Sequence, residues 1–292
     1  MPRQELDARR HTVTTRSGDI SYLDIGTGPA ALFVHGIATN AYLWRHVIGE
    51  LAGQRRCIAI DLPLHGRSPV APGQDLSVAG LAAVLEDFCD ALGLGGIDLV
   101  ANDTGGAIAQ VFAARHPQRL ATLTLTNCDV SDNLPPEAFQ PMIELAAAGA
   151  LAPSAVELFA DPEASAQFAF GATYEHLDRM DPGVIRSYLE PCVGTIERAR
   201  EFERLLVALD PADLTAVTPQ LEELTVPTLV VWGTGDEFFG VSWAYWLRDT
   251  IPGVTRVVTV DGAKLFFPEE RPMDLVPHLR QHWAAAAGTS AA

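Results

Sequence analysis

Residues 97–110 read IDLVANDTGGAIAQ, an apolar run that leads directly into a segment with helical spacing. The run before Asp103 predicts a buried strand, and the residues from Gly105 onward predict a helix. Asp103 lies between Ala101 and Gly105, two small residues of the kind that a sharp, strained turn requires. This pattern indicates a nucleophile elbow in which aspartate takes the place of the nucleophile. The alternative is that Asp103 only caps the helix, since Asp is a favoured N-cap residue.

The alternation of strand and helix extends from this stretch in both directions. Short β-rich runs occur at 19–25, 30–35, 55–61, 97–102, 121–127, 226–232 and 255–260. Helical spacing occupies 77–93 and 105–117, each with Gly or Pro close to its ends. Strands that alternate with helices predict an α/β fold with a mostly parallel central sheet flanked by helices.

Residues 131–220 interrupt the alternation. After Pro135-Pro136 the segment contains helical patterns with no strand between them. We predict that this helical insertion forms a cap, or lid, over the site. The predicted organisation is therefore a first part of the core at 1–130, the helical insertion at 131–220 and a second part of the core at 221–292.

Composition limits the classes of partner. The 292 residues are 48% hydrophobic, and 20 Lys and Arg oppose 37 Asp and Glu, which gives a formal charge of −17. Such a charge repels nucleic acid and anionic lipid, so we expect a small-molecule substrate, with neither nucleic acid nor membrane as partner. Four scattered cysteines and the lack of an apolar leader predict a cytoplasmic location. The sequence leaves monomer and homodimer open.

No cofactor or metal is predicted. The Gly-x-Gly at 233–235 leads into an acidic loop and lacks the pattern of a phosphate cradle. Asp274, His278 and His282 share one face of a predicted helix, but no H-E-x-x-H motif accompanies them. We interpret them as a solvated face.

Several motifs resemble one known family. They are FVHGIATNAYLWRHVIGEL, DLPLHGRS, VANDTGGAIAQ, VVWGTGD and FFPEERP, and they are similar to the haloalkane dehalogenase and epoxide hydrolase branch of the α/β-hydrolase superfamily. The resemblance covers nearly the whole core and is weak across 131–220. It implies that Asp103 attacks carbon to form an ester and that Asp236 is the triad acid. Backbone N–H groups of Thr104 and Ile37 would then stabilise negative charge.

The resemblance fails at the histidine of the family triad. The family motif of His, an aromatic residue, two spacers, an acidic pair and Pro aligns with residues 265–272, so Leu265 occupies the base position. Loss of such a base typically lowers the rate by roughly two to four orders of magnitude. We therefore expect slow hydrolysis of an ester on Asp103.

Lys264, the one lysine of the chain, adjoins this position. It is a candidate base if burial favours its neutral form. The alternative is an ion pair with Asp236 or Glu237.

Two further kinds of side chain are candidates to replace the base. Asp129 follows the strand at 121–127 and either holds a water or shares a proton with Asp103, or is a turn residue. His35 lies beside the predicted oxyanion loop and His65 lies in the L-H-G-R-S turn, where both are also common structural residues. The sequence favours neither histidine as a base.

The substrate-binding residues also depart from the family. Dehalogenases that this chain resembles hold halide with a Trp after the nucleophile and a polar residue after His-Gly, whereas Thr104 and Ile37 occupy those places. Epoxide hydrolases use lid tyrosines, and the helical insertion contains Tyr174 and Tyr188, which either face substrate or simply pack. With His35, these tyrosines are the predicted pocket residues.

Three functions stay open at this point. The first is an epoxide hydrolase or dehalogenase type of enzyme that acts on a small to medium hydrophobic substrate through Asp103. The second is a lyase, isomerase or cyclase that uses Asp103 as a general acid or base. The third is a non-catalytic ligand-binding protein, since a fold alone does not guarantee activity.

Overall fold

A computed structural model describes residues 3–290. All of the strands in this range belong to one eight-stranded sheet. The order in the sheet is β1-β2-β4-β3-β5-β6-β7-β8, and all neighbours after β4 are parallel. Both pairings of β2 are antiparallel. The predicted mostly parallel sheet is confirmed. The strands are β1 Arg10–Thr15, β2 Gly18–Ile25, β3 Ala30–Val34, β4 Arg56–Ile60, β5 Ile97–Asp103, β6 Leu120–Cys128, β7 Thr228–Gly233 and β8 Val254–Val260.

Helices flank the sheet and fill the long connection between β6 and β7. The core helices are α1 Arg3–Asp7, α2 Arg45–Leu51, α3 Val78–Leu92 and α4 Thr104–Arg115, followed after β7 by α12 Ser242–Thr250, α13 Phe267–Glu270 and α14 Val276–Ser290. Between β6 and β7 lie α5 Gln140–Ala147, α6 Leu151–Phe159, α7 Pro162–Phe170, α8 Pro182–Val193, α9 Ile196–Val207, α10 Ala212–Thr215 and α11 Thr218–Leu221.

The boundaries of the helical insertion stay predictions. Residues 1, 2, 291 and 292, which the predicted core parts include, lie outside the described residues.

Burial explains why the central strands could be predicted. Every residue of β5 is buried, as expected for a strand covered by helices on both faces. The edge strand β1 differs, because its sequence RHTVTT is polar and none of its residues is buried. The sequence interpretation contained no strand there. Antiparallel pairing with β2 is what orders this segment.

Local signals define the helix that precedes β5. The Ser77 side chain accepts a hydrogen bond from the Gly80 N–H, and Gly93 ends α3 in the left-handed region at φ +62°. These are a favoured N-cap and a favoured C-terminal glycine. The helix predicted at 77–93 is confirmed.

The parallel arrangement determines where a site can form. The carboxyl ends of β3, β5, β6, β7 and β8 lie at the same edge of the sheet, and the loops that follow them meet there. Asp103 ends β5, and the loops after the other strands carry Ile37, Asp129, Asp236 and Leu265. Ligands of open α/β sheets bind at this edge.

Within residues 3–290, no single helix is long and apolar enough to cross a membrane. One pair of helical segments, Glu137–Ala147 and Leu151–Phe159, is long and apolar enough for a span only when the two are taken together, and they are bent by 106° relative to each other.

Candidate active site

Asp103 is the residue at which β5 turns into α4. Its backbone has φ +58° and ψ −140°, a conformation that costs free energy for a non-glycine residue and that clusters at functional sites. Although Asp103 precedes the helix, its side chain makes no N-cap hydrogen bond. The structure therefore disfavours the interpretation that this aspartate is only an N-cap.

Two glycines let the loop after β3 pack directly onto this elbow. A Cβ atom on Gly36 would lie 2.1 Å from Asp103 Oδ2, and one on Gly105 would lie 2.4 Å from the His35 carbonyl oxygen. Neither position has room for a side chain. The backbone N–H groups of Thr104 and Ile37 consequently face the Asp103 carboxylate and act to lower its pKa. Both predicted oxyanion donors thus point at this side chain.

His35 and His65 hold the loop that carries Ile37. The Nδ1 of His35 bonds the Gly36 carbonyl at 2.7 Å, and its Nε2 accepts from the Leu62 N–H at 3.0 Å. His65 Nε2 accepts from the Ala38 N–H at 3.2 Å, and the two rings pack edge to face. Burial lowers the pKa of His35 to about 4 and that of His65 to about 3, so both rings are neutral.

These contacts correct the prediction that His35 faces substrate. Both of its ring nitrogens are bonded to backbone groups, and the residue is fully buried. His65 is bonded in the same way, with Nδ1 at 3.0 Å from the Pro63 carbonyl oxygen. Their neutral rings fix the backbone on either side of Ile37.

Two more carboxylates lie beside Asp103, and they differ in hydrogen bonding. Asp129 is buried and accepts from the Thr104 hydroxyl at 2.9 Å through Oδ2, while its Oδ1 has no partner. Asp236 accepts from Asn127 Nδ2 at 2.7 Å and from two backbone N–H groups, those of Phe238 at 2.8 Å and Phe239 at 3.2 Å.

All three carboxyl groups bind protons more tightly than usual. Burial, followed by the charge of Asp236, raises the pKa of Asp103 to about 7. Burial and the charge of Asp103 raise the pKa of Asp129 well above its ordinary value, although the Thr104 hydroxyl and its own N–H oppose this. Burial raises the pKa of Asp236 to about 6. The strongest charge effect on each carboxyl group therefore comes from another carboxylate.

Leu265 is the residue that the motif resemblance aligns with the family histidine. Its side chain is 3% exposed, so the position is apolar and buried. Its carbonyl oxygen accepts from Asn102 Nδ2 at 3.1 Å, which ties the backbone at this position to the residue before Asp103. The backbone is thus anchored beside the elbow while the side chain offers no proton acceptor.

The structure contradicts the hypothesis that Lys264 is the base. Its Nζ donates to Glu237 Oε1 at 2.9 Å in an ion pair whose glutamate is 60% exposed. An ammonium group held by a carboxylate has no lone pair with which to accept a proton. The alternative of an ion pair at 236 or 237 is the one observed, and the partner is Glu237.

The pocket tyrosines are also corrected. Tyr188 donates its hydroxyl to Glu269 Oε1 at 2.9 Å, and Tyr174 donates its hydroxyl to Oε2 of the same carboxylate. Arg45 forms an ion pair with Glu269 Oε1. All four side chains are buried, so the tyrosine hydroxyls bond a structural carboxylate of the core and not a substrate.

The segment from Leu265 to Arg271 also fastens the helical insertion to the core. Glu270 accepts from the backbone N–H groups of Glu175 and His176 at 2.8 and 2.6 Å. The Phe266 N–H donates to the Thr173 carbonyl at 3.1 Å. One short segment therefore carries both the base position and the attachment of the insertion.

Sequence reasoning missed Asn102, Arg45 and Glu269. Two signals in the sequence could have found them. Asn102 is a polar residue at the end of an apolar strand, and Arg45 is a charged residue within the apolar stretch AYLWRHVI. The acidic pair at 269 and 270 was noticed as part of a motif, but nothing in the sequence indicated its partners.

The side chains of Asp274, His278 and His282 bond three different partners. Each of these side chains has its own partner: Arg271 Nε at 2.6 Å, Arg256 Nη2 at 3.0 Å and the Pro227 carbonyl oxygen at 3.2 Å. No group of three or more candidate ligands converges elsewhere in the described chain.

Comparison with known proteins shows the same fold. The family model of the α/β hydrolase fold matches residues 29–169. A 2-hydroxy-6-oxononadienedioate/2-hydroxy-6-oxononatrienedioate hydrolase from Burkholderia vietnamiensis is 31% identical over 233 residues, which is 75% of each chain. A haloalkane dehalogenase from Mesorhizobium japonicum is 38% identical over 116 residues, or 39% of this chain, and the match spans 37% of that enzyme.

A solved structure agrees over nearly the whole length. A haloalkane dehalogenase from Bradyrhizobium elkani superposes with a TM-score of 0.80 at 21% identity and covers 96% of this chain and 99% of its own. At this identity the likeness shows the fold alone. The chain belongs to the α/β-hydrolase fold family.

Proposed function

We propose that this chain is an enzyme of the epoxide hydrolase and haloalkane dehalogenase type that acts on a small to medium hydrophobic substrate through Asp103. One observation carries the proposal. The Asp103 carboxylate lies at a strained elbow and faces the backbone N–H groups of Thr104 and Ile37. A carboxylate held in this way is suited to nucleophilic attack, since the same two donors then stabilise charge on the ester oxygen.

The proposed reaction has two steps. A carboxylate oxygen of Asp103 forms a bond to an electrophilic carbon while the bond from that carbon to its leaving group breaks, and the leaving group keeps the electron pair. Water then attacks the ester carbonyl carbon and gives up a proton, the bond between that carbon and the alkyl oxygen breaks, and the product leaves as an alcohol while the Asp103 carboxylate is regenerated. Leu265 has no atom that accepts this proton, so we expect the ester to accumulate.

Intact-protein mass spectrometry tests the nucleophile. We expect incubation with a panel of epoxides and haloalkanes to add one substrate-derived group to the wild-type protein. The Asp103→Asn variant should gain no such mass, because the amide is a far weaker nucleophile. Asp132→Asn is the matched control, since Asp132 is an exposed aspartate nearby in sequence and should not alter labelling. Equal labelling of the wild type and Asp103→Asn would falsify the proposal.

The rate of adduct formation should depend on pH near neutrality. The pKa of Asp103 is raised to about 7, and only its ionised form attacks carbon. The ionised fraction, and with it the labelling rate, should rise about tenfold between pH 6 and pH 8. An aspartate with an ordinary pKa would be ionised throughout this range and would give a flat profile. Labelling at Asp103, measured at several pH values and corrected for the Asp103→Asn background, distinguishes the two.

A second candidate function is favoured by the same protonation. With a pKa of about 7 and no histidine at 265, Asp103 can carry a proton at neutral pH and act as a general acid or base in a lyase, isomerase or cyclase. Such a reaction forms no ester. A product that has the mass of the substrate when formed in H₂O, and that gains deuterium when formed in D₂O, would favour this candidate if no adduct appears on the protein.

A further inference from the structure

The segment 62–68, with the sequence LPLHGRS, follows β4, and the loop that carries Ile37 follows β3. These two strands are neighbours in the sheet and run parallel. Their loops therefore leave the same edge of the sheet side by side. Each loop contains one histidine, His35 in the first and His65 in the second, and both are buried. Each histidine is thus placed to bond the backbone of the other loop.

The two histidines make the same bond in opposite directions. His35 Nε2 accepts from the Leu62 N–H at 3.0 Å, so the loop after β3 holds the loop after β4. His65 Nε2 accepts from the Ala38 N–H at 3.2 Å, so the second loop holds the first. The two rings pack edge to face, with their centroids 5.1 Å apart. We call this reciprocal pair of bonds the histidine latch.

The latch requires one particular tautomer of each ring. A neutral imidazole has one N–H and one acceptor nitrogen. Because Nε2 is the acceptor in both rings, Nδ1 carries the proton. It lies 2.7 Å from the Gly36 carbonyl oxygen in His35 and 3.0 Å from the Pro63 carbonyl oxygen in His65, and it donates to that oxygen in each case. Both nitrogens of each ring are therefore used by the latch and its backbone anchors.

The backbone that the latch joins is strained. Ala38 has φ +57° and Leu64 has φ +76°, which is the left-handed region that costs a non-glycine residue free energy. Ala38 donates its N–H to His65, and Leu64 directly precedes that histidine. Strained backbone persists only where its surroundings over-determine it. Loss of the bond to Ala38 should therefore let this residue relax, and its neighbour Ile37 should move with it.

The segment 62–68 is built to be the fixed side of the latch. The His65 N–H donates to the Leu62 carbonyl at 2.9 Å, and the Ser68 N–H donates to the His65 carbonyl at 3.0 Å. The buried carboxylate of Asp61 accepts from the Ala41 N–H at 3.0 Å, which ties the loop after β3 to the end of β4 a second time. A segment bonded within itself and to its neighbour in this way can hold a strained residue in place.

We propose that His65 is a positioning residue of the candidate active site, which holds the Ile37 N–H toward the Asp103 carboxylate through its bond to Ala38. The inference rests on the proposed function for the use made of this N–H. The geometry, however, exists in the protein without substrate. Since the Ile37 N–H acts to lower the pKa of Asp103, the pKa of that carboxyl group reports where the N–H lies.

Two variants at position 65 separate the acceptor from the ring. His65→Gln removes the ring but keeps an acceptor long enough to reach the Ala38 N–H, whereas His65→Phe keeps a ring and removes the acceptor. In His65→Phe we expect the pKa of Asp103 to lie about one pH unit above its wild-type value, because the carboxylate loses a donor. His65→Gln should keep the wild-type pKa.

Carbon-13 NMR of the full chain, labelled at the aspartate carboxyl groups, measures this pKa without substrate. The Asp103 signal is identified by its absence from the spectrum of Asp103→Asn. Amide ¹H–¹⁵N spectra of the same variants should show the Ile37 and Ala38 signals displaced in His65→Phe and near their wild-type positions in His65→Gln.

The tautomer gives a test that needs no variant at position 65. In the wild type at neutral pH, ¹⁵N NMR of the imidazole rings should show His65 with a protonated Nδ1 and an unprotonated Nε2. A protonated Nε2 would overturn the inference, because that nitrogen could not accept from Ala38. This measurement decides the question even if His65→Phe does not fold, as judged by circular dichroism.

Two results from the variants would also overturn the inference. One is an unchanged Asp103 pKa in a folded His65→Phe. The other is an equal rise in both variants, which would mean that the ring and not the acceptor holds the loop. Because the NMR titration uses no substrate, it is independent of the mass-spectrometric test. An adduct on Asp103 with an unchanged pKa refutes only the role of His65, and the expected pKa change without any adduct refutes only the proposed nucleophile.

Discussion

Replacing Leu265 with histidine is expected, under the proposed mechanism, to give steady turnover in place of a single alkylation of Asp103. A general base at this position typically accelerates the hydrolytic step by roughly two to four orders of magnitude. The measurement is steady-state product release from the epoxide or haloalkane that labels the wild type best. Disappearance of the adduct from intact-mass spectra should accompany it.

The structure supplies the other parts that such a base needs. Asn102 Nδ2 holds the carbonyl of residue 265 at 3.1 Å, so the backbone is already fixed beside Asp103. The oxygens of Asp236 are oriented by Asn127 and two backbone N–H groups, and this carboxylate can in turn orient an imidazole.

Two controls separate a true base from a change in polarity. Leu265→Gln brings a polar side chain of similar size with no useful basicity and should not gain turnover. Adding Asp236→Asn to the histidine variant should remove most of the gain, because the imidazole loses its orienting acid. If the histidine variant folds, still forms the adduct and yet releases no product, the machinery around position 265 is not that of a hydrolase.

Removal of the Glu269 carboxylate is expected to give the largest loss of stability. Glu269→Leu should lower the free energy of unfolding by about 3–5 kcal/mol, since it leaves the buried Arg45 guanidinium without its counter-ion. The hydroxyls of Tyr174 and Tyr188 lose their acceptor as well. Denaturant unfolding followed by circular dichroism measures the change.

The chain offers a matched comparison at its surface. Glu237 forms an ion pair with Lys264 but is 60% exposed, so Glu237→Leu should change the unfolding free energy by less than about 1 kcal/mol. If the two leucine variants lost similar amounts of unfolding free energy, burial of the Arg45–Glu269 ion pair would not be what determines its contribution to stability. Hydrogen exchange of residues 171–193 should also quicken in Glu269→Leu and stay unchanged in Glu237→Leu.

Local signals made most of the fold predictable. Parallel strands such as β5 are buried on both faces and therefore appear as apolar runs in the sequence. The elbow is equally local, because Ala101, Asp103 and Gly105 all lie within one five-residue stretch. The edge strand β1 escaped prediction because pairing with β2, and not an apolar sequence, orders it.

The site was predictable only in part. The predictions for Asp103 as nucleophile and for Leu265 at the base position came from short motifs, because each needs only a few consecutive residues to be recognised. The partners of Tyr174, Tyr188 and Lys264 depend on contacts between residues far apart in the chain. Helical spacing indicates that a tyrosine is buried but does not indicate which acceptor its hydroxyl finds. For that reason the predicted pocket roles were wrong.

The short segment after β8 couples the backbone at position 265 to the long connection between β6 and β7. Phe266 and Glu270 bond the backbone of residues 173–176 in that connection. Both residues closely follow position 265 in the chain, so a displacement of residues 173–176 would also pull on the backbone at position 265. A mutation that breaks these hydrogen bonds is therefore expected to shift residue 265 as well as to free residues 173–176.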